Sequence, residues 1–527
     1  MTSPRPALAA ASAAPPRSAF ILVTAIALAL INVTRLHDIV SDITGNLPAG
    51  KLALVLAILA LIAGGHLAQR IAAFKQRQGL AYLVFVGAMF LSIPLSLYKS
   101  DSLKTANDFL LGSGVIAIVT AIAIDSADDV QRLFRTLVIG TVITGAYLLV
   151  FGGRVFVGKD GPRTTIPGMY DPNDLALVVA VTVPMAFALL RDRQALWKLI
   201  GAAGIVAAVY IIVRTYSRGG FTALAVAVVF AAFRFRQAIP AWFRIGVVVP
   251  MAFALLRDRQ ALWKLIGAAG IVAAIYIIVR TYSRGGFTAL AVAVVFAAFR
   301  FRQAIPAWFR IGIVVAMVGG LAFAPKKWKD RISTMQTVEN DYNLTDKGGR
   351  IEIWKRGMGY FVAHPLTGVG LNQFEFAEGN WGKLQGYYAA FKWSAPHNMW
   401  VETAAELGLP GILGFIFTWL FSLKDCLLAS RLAREGRIDP AVGAAGDALF
   451  VATISFMIGG SFVSAALAPI CVFIASINIG FGAMLRRSVA TAPGQQAHAV
   501  AAPLAAGWRS RRRMVPSQQQ TAPTYGR

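Results

Sequence analysis

The chain has little of what a water-soluble protein is built around. Acidic residues number 25 in 527, and charged residues of both signs make up only 14%. A soluble domain carries nearer a quarter, so an ordinary hydrated surface is excluded over most of the molecule. There are two cysteines, Cys426 in a basic loop and Cys471 in an apolar run, which excludes a disulfide framework. Of the five histidines, His364 and His397 stand in one hydrophilic stretch, but no cysteine joins them at metal-ligand spacing. No nucleotide-binding glycine loop is present, so no metal and no cofactor is expected. No small-residue cleavage site follows the first apolar run, which reads as an uncleaved anchor.

What the chain has is apolar length. Hydrophobic residues reach 57% and the mean hydropathy is +0.62. Apolar runs recur that are each long enough to cross a bilayer core of about 30 Å. Spans are expected near 19–33, 51–68, 80–97, 108–124, 136–152, 173–190, 199–213, 219–233, 265–279, 285–299, 311–325, 399–423, 443–464 and 467–485. The expected fold is all-α, a polytopic bundle of about 14 spans.

The net charge of +26 would raise nucleic acid as a partner in a soluble protein. Here the lysines and arginines sit mostly between apolar runs, where they set topology. The expected partner is the membrane and its lipids, and not nucleic acid. Arg70, Lys75 and Arg77 mark one cytoplasmic connection, Arg132 and Arg135 the next, and Arg191, Arg193 and Lys198 a third. Lys424, Arg431, Arg434 and Arg437 mark a later one. Both termini then lie inside. Residues 1–18, rich in Ala and Pro, and the basic tail 486–527 read as disordered.

Residues 184–249 recur at 250–315, shifted by 66, with only Val209/Ile275 and Val247/Ile313 differing. Repeat families diverge far more than this, so a recent tandem duplication or an assembly error is indicated. The junction at 245–256 is short, holds Pro250, and is basic on both flanks (Arg234, Arg236 and Arg244; Arg257, Arg259 and Lys264). It is expected to dip in and return, so that the duplication adds two spans. The transmembrane region is then 19–325, followed by a large extracytoplasmic loop, 326–396, and the closing spans of 397–485. The loop is basic although outside. The charge rule weakens for loops beyond about 60 residues, and a phosphate-binding role would account for the charge.

Several constellations could carry chemistry. Ile351, Trp354, Met358 and Phe361 share one face of a helix that starts at Arg350 and is ended by Pro365 and the glycines. Arg350 would stand beside first-turn N–H groups that favour anions. The plainer reading is a surface arginine on an amphipathic helix against the membrane. Pro396 suits a first helical turn, which sets His397 at a helix mouth. The positive end of the helix disfavours a second proton, and a neutral imidazole can accept one from an attacking hydroxyl. A loop-bonding His is the alternative. Glu402 and Glu406 lie just inside the next span, with Glu402 placed to orient Asn398 one turn earlier. Ionisable residues there are functional candidates, against carboxylates still at headgroup level.

Ser217-Arg218-Gly219-Gly220 forms a short outer turn with a copy at Ser283-Arg284-Gly285-Gly286. The forked donors of an arginine there suit a phosphate. Arg214 and Arg280 precede these turns, and snorkelling is the alternative. Asp171-Pro172-Asn173-Asp174 opens another span, where capping is the favoured reading and acceptor binding the other. Arg154, Lys159 and Arg163 add positive charge to the same loop.

In order and placement these pieces resemble the O-antigen ligase and polymerase family of bacterial membrane glycosyltransferases. The resemblance covers about 80–485 and is strongest at 345–415. It rests on Asp171-Pro172-Asn173-Asp174, Ser217-Arg218-Gly219-Gly220, the run from Arg350 through His364-Pro365-Leu366-Thr367-Gly368-Val369-Gly370, His397-Asn398, and Gly408-Leu409-Pro410-Gly411. It implies an undecaprenyl-diphosphate-linked glycan as donor and an acceptor glycan, either lipid A core or a growing polysaccharide. It also implies direct inverting displacement without metal or nucleotide. Arg218 (or Arg284) and Arg350 would hold the diphosphate and His397 would activate the acceptor hydroxyl. Asn398, Glu402, Asp171, Asn173, Asp174 and His364 would support them. The duplication departs from the family's pattern of about twelve spans. A lipid-linked glycan flippase is the competing class, and a non-catalytic partner in polysaccharide assembly is a third. A flippase should show global pseudo-symmetry and mid-membrane charges, whereas here the repeat is local and the candidate charges sit at one face.

Overall fold

The computed structural model describes residues 19–44, 49–65, 67–158, 161–166, 170–215, 217, 219–224, 226–227, 349–384 and 394–490. Among the described residues, eight helices are long and apolar enough to cross a membrane: Arg77–Leu95, Lys99–Ile122, Ala127–Phe151, Pro172–Leu189, Ala195–Thr215, Met399–Arg434, Pro440–Phe462 and Pro469–Ala490. Two shorter apolar helices, Ala19–Val33 and Leu52–Ala63, accompany them. The molecule is a polytopic helical bundle and an integral membrane protein. The spans expected at 265–279, 285–299 and 311–325, the junction 245–256, Arg218, Arg284, and the termini 1–18 and 491–527 lie outside the described residues.

In chain order the elements are α1 (Ala19–Leu28, continued as a π turn to Val33), α2 (Leu36–Thr44), α3 (Ala49–Ala63), α4 (Leu67–Ile71), α5 (Arg77–Ser92), α6 (Lys99–Phe109), α7 (Val115–Ile122) and α8 (Ala127–Phe151). A hairpin, β1 (Arg154–Gly158) and β2 (Gly161–Thr165), precedes α9 (Pro172–Leu189) and α10 (Ala195–Thr215). Then come α11 (Arg350–Ala363), α12 (Phe374–Leu384), α13 (Met399–Arg434), α14 (Pro440–Gly459) and α15 (Pro469–Ala490). Local sequence sets many of the starts. Ser126 and Asp129 form a capping box at α8. Asp171 and Asp439 cap α9 and α14, each with proline in the first turn, where its missing N–H costs nothing.

The all-α bundle is what the structure has, with one small antiparallel ladder added, pairing Arg154 with Thr165 through Gly158 with Gly161. The structure corrects finer expectations. Cys426 is buried inside α13 rather than in a loop, because that helix runs on past the expected end at 423. Arg486 and Arg487 lie on α15, which continues to Ala490, so the tail begins later than 486. The described part of the large loop is two helices packed on the bundle.

The bundle has two chemically different ends. α5 shows both. Near its start the Gln78 amide donates to Asp425 (2.7 Å), and Arg486 donates to the same carboxylate (3.1 Å). At its other end Ser92 accepts the amide of Leu371 (3.2 Å). The first end gathers the basic connections. Arg70 and Arg487 both meet Asp125 (3.1 and 3.3 Å), and Arg135 meets Asp192 (2.5 Å). The second end holds the starts of α9 and α13 and the helices α11 and α12. Small residues let the helices approach between these ends, as expected where apolar burial does not drive association. Gly145 faces Ala207, Gly204 faces Val138 and Gly446 faces Ala429. Phe85, Phe415, Trp419 and Phe456 fill the middle with ring centroids 5.0–5.7 Å apart.

α13 is not one straight span. Thirty-six residues would measure about 54 Å, far beyond a core of about 30 Å. Gly408 breaks it at φ 63°, ψ −161°. Trp400 and Phe415 would lie about 22 Å apart along a continuous helix, yet their ring centroids are 5.3 Å apart. The first turns, 399–407, therefore fold back beside the helix that follows. The segment that can cross starts after Gly408, and the span expected at 399–423 is corrected accordingly.

Candidate functional site

The fold-back sets the start of α13 among the ends of other helices. Asn398 is its cap, with Oδ1 accepting the amides of Trp400 (3.0 Å) and Val401 (3.4 Å). His397, immediately before the cap, has φ 46°, a left-handed conformation that few non-glycine residues adopt. Glu402 does not orient the Asn398 side chain; its amide donates to the Asn398 carbonyl (2.9 Å). Its carboxyl faces the Ala466 amide and the Ser464 hydroxyl, with Asp174 also near enough to act on it electrostatically. The indole N–H of Trp400 donates to Ser461 (3.0 Å).

Two further motifs converge here. Asp171 accepts the amides of Asn173 (2.6 Å) and Asp174 (2.9 Å), which is the capping role the sequence favoured. Ser217 is wholly buried and caps the helix that begins at Gly219, its hydroxyl accepting the Gly220 amide (3.1 Å). Both glycines are close-contact positions. A Cβ on Gly220 would stand 2.3 Å from that of Ala176, and one on Gly219 would stand 3.0 Å from Phe462. Gly219 and Gly220 are thus packed between α9 and the end of α14.

Arg350 opens α11, as its position before a helical run predicted. One turn later the Trp354 indole donates to the carbonyl of Pro396 (2.8 Å), the residue before His397. Gly357 of α11 lies directly against Val401 and Phe374. Across from it Arg356 grips Glu378 of α12 with two nitrogens (2.9 and 2.5 Å), and the Tyr360 hydroxyl donates to the same carboxylate (2.8 Å). Burial, and then the Glu378 charge, push the Tyr360 phenol up. Burial draws the Arg356 guanidinium down, but its bond to Glu378 and that carboxylate's charge leave it above its usual value.

His364 does not join this group. It ends α11, some 14 residues from Arg350 or about 21 Å along the helix, and is exposed. The loop that follows it, His364 to Gly370, serves the break in α13. Proline has no N–H, so Pro410 leaves the carbonyl of Glu406 without its in-helix donor; the Gly370 amide takes it (3.1 Å). The Leu409 amide turns away to the Pro365 carbonyl (2.7 Å), and the Ala405 carbonyl it leaves accepts the Val369 amide (2.8 Å). Gly368 and Gly408 both have φ 63°; a Cβ on Gly368 would stand 2.3 Å from the Glu406 backbone, and one on Gly408 would stand 2.7 Å from the backbone of Pro365, Leu366 and Thr367. These two motifs, read from sequence as parts of a resemblance, are two halves of one joint. A proline between two glycines inside an apolar run was the signal for it.

Glu406, which sequence left between a functional and a headgroup carboxylate, accepts the amides of Asn372 (2.9 Å) and Phe374 (3.0 Å) at the start of α12. Among the described residues no three His, Cys, Asp or Glu side chains are grouped to hold a metal ion. Residues 269–416 match the family model described as O-antigen ligase. The match takes in the second repeat copy from Ala269 onward in sequence, α11, His397 and the α13 joint. No curated protein matches the chain.

Proposed function

We propose that this chain, an O-antigen ligase family protein over residues 269–416, transfers or polymerises a glycan from an undecaprenyl-diphosphate-linked donor at the outer face of the bacterial inner membrane. The observation that carries the reading is the junction of Trp354 with Pro396. It brings the arginine that opens α11 and the histidine that precedes α13 to one end of the bundle, beside the Ser217 turn and the start of α9. That end lies opposite the basic connections, so the positive-inside rule sets it outside.

In this reading Arg350, with Arg218 or its twin Arg284, neutralises the diphosphate. Diphosphate leaves readily once its charge is met by fixed cations. His397 removes the proton of the acceptor hydroxyl, which attacks the anomeric carbon from the face opposite the departing diphosphate and inverts it. The reaction needs neither metal nor nucleotide. The acceptor is lipid A core or a growing polysaccharide.

The test is glycan transfer by purified protein in nanodiscs supplied with a lipid-diphosphate glycan. Arg350→Ala and His397→Ala should each lower turnover by about 10² or more. Unchanged turnover in both variants refutes the assignment. A deletion strain separates the acceptors: short unpolymerised units mark a polymerase, and lipid-linked chains accumulating while surface lipopolysaccharide is lost mark a ligase.

A further inference from the structure

The chain closes a ring of bonds around His397. From Pro396 the ring runs through the Trp354 indole to α11, and from Arg356 across to Glu378 of α12. α12 begins at Phe374, whose amide, with that of Asn372, is held by the Glu406 carboxylate. Glu406 ends the short folded-back helix 399–407, and the Asn398 cap at the other end of that helix returns to His397. Only two side chains in the ring are buried carboxylates, Glu378 at 0% and Glu406 at 6% exposure. Glu378 has a cationic partner. Glu406 is bonded to backbone amides alone, at a helix start whose orphan N–H groups and dipole favour an anion.

We infer that Glu406 is a positioning residue: by mooring the start of α12 to the end of the folded-back helix, it fixes His397 against Arg350. This rests on the proposed transferase reading and adds a part to it. Gly408 breaks the backbone ladder between the folded-back helix and the rest of α13. The start of the folded-back helix is held by the Trp400 bond to Ser461 and the contact of Val401 with Gly357, and its end by the loop amides at Val369 and Gly370 and the two amides that Glu406 accepts. Glu406→Gln keeps the shape but turns one acceptor into an N–H donor facing an amide N–H. One of the two buried amides then loses its partner. The helix start that carries His397 pivots, and a displacement of about 1 Å between reacting groups costs up to 10²-fold in rate.

The experiment uses the full chain in nanodiscs with a lipid-diphosphate glycan, and compares Glu406→Gln and Glu406→Asp with the parent. Glu406→Gln is expected to lower kcat about 10- to 100-fold with donor KM within about twofold, and to speed amide exchange across 368–376 and 394–400. Glu406→Asp, which keeps both oxygens, should recover part of the kcat. Wild-type kcat in Glu406→Gln overturns the inference. So does a kcat loss with unchanged exchange at 394–400, which would mean that Glu406 acts on substrate directly. Should Glu406→Gln fail to assemble, Trp354→Phe cuts the same ring at Pro396 and should give the same split between kcat and KM. If the parent transfers no glycan, the transferase reading falls. The exchange measurement then still decides whether Glu406 holds the 394–400 segment.

Discussion

Gly370 donates its amide to the carbonyl of Glu406 at 3.1 Å, the acceptor that Pro410, four residues further along, cannot serve. A break that would leave polar backbone unsatisfied inside a membrane protein is thereby closed by a loop from outside the helix, the circumstance in which such breaks are tolerated. The joint explains why α13 can fold back on itself without exposing its carbonyls to lipid.

Gly408 should therefore be irreplaceable by alanine. Its φ of 63° is adverse for any side chain, and an added Cβ would lie 2.7 Å from the backbone of Leu366, Pro365 and Thr367. The expected loss is about 2 kcal/mol or more, read as a lower Tm in detergent. Gly359, on the exposed side of α11 with nothing within 4 Å of its Cβ position, is the control. Gly359→Ala should leave the Tm unchanged or raise it.

Arg356→Met should destabilise the protein strongly. It strips the wholly buried Glu378 of its cationic partner and leaves only the Tyr360 hydroxyl on the carboxylate, and a buried charge without its counter-ion costs about 3–5 kcal/mol. Thermal unfolding of the single variant and of Arg356→Met combined with Glu378→Gln measures this. The double variant should be clearly more stable than the single one, since it removes the stranded charge.

The orientation predicts cysteine accessibility. Lys355, two-thirds exposed on α11, should accept a membrane-impermeant maleimide in intact spheroplasts once changed to cysteine. Arg193→Cys, at the opposite end beside the Arg135–Asp192 pair, should label only after permeabilisation. The reverse pattern would place the candidate site in the cytosol, away from any outward-facing lipid-linked glycan.

The two copies of the arginine turn can be told apart by substitution. Ser217, Gly219 and Gly220 of the first copy are packed between α9 and the end of α14. Arg218→Ala and Arg284→Ala should differ in the transfer assay: the variant that loses turnover marks the working turn, and the other should stay near the parent value.

Much of this was legible in the chain. Helix starts at Asp171 and Arg350 followed from short-range rules that act within one turn. The basic end of the bundle followed from counting charge between apolar runs. The role of Glu406 was not legible, because the amides it accepts at Asn372 and Phe374 are more than thirty residues earlier in the chain. The helical continuation of α13 past 423 was also missed. Lys424 and Asp425 look like a loop in isolation, and it is the contact of Asp425 with Gln78 and Arg486 that lets a charge stand on a buried helix there.

By itself, then, the sequence determined that the protein is a membrane bundle, which end of it is basic, and which residue types crowd its other end. Those properties depend on composition and on periods of a few residues. Tertiary structure alone decided that α13 turns back at Gly408 and that His364 stands apart from Arg350 and His397. It also decided that two distant glycine motifs form one joint. Each of these depends on which backbone groups find partners across the fold, and in a membrane every such group must find one.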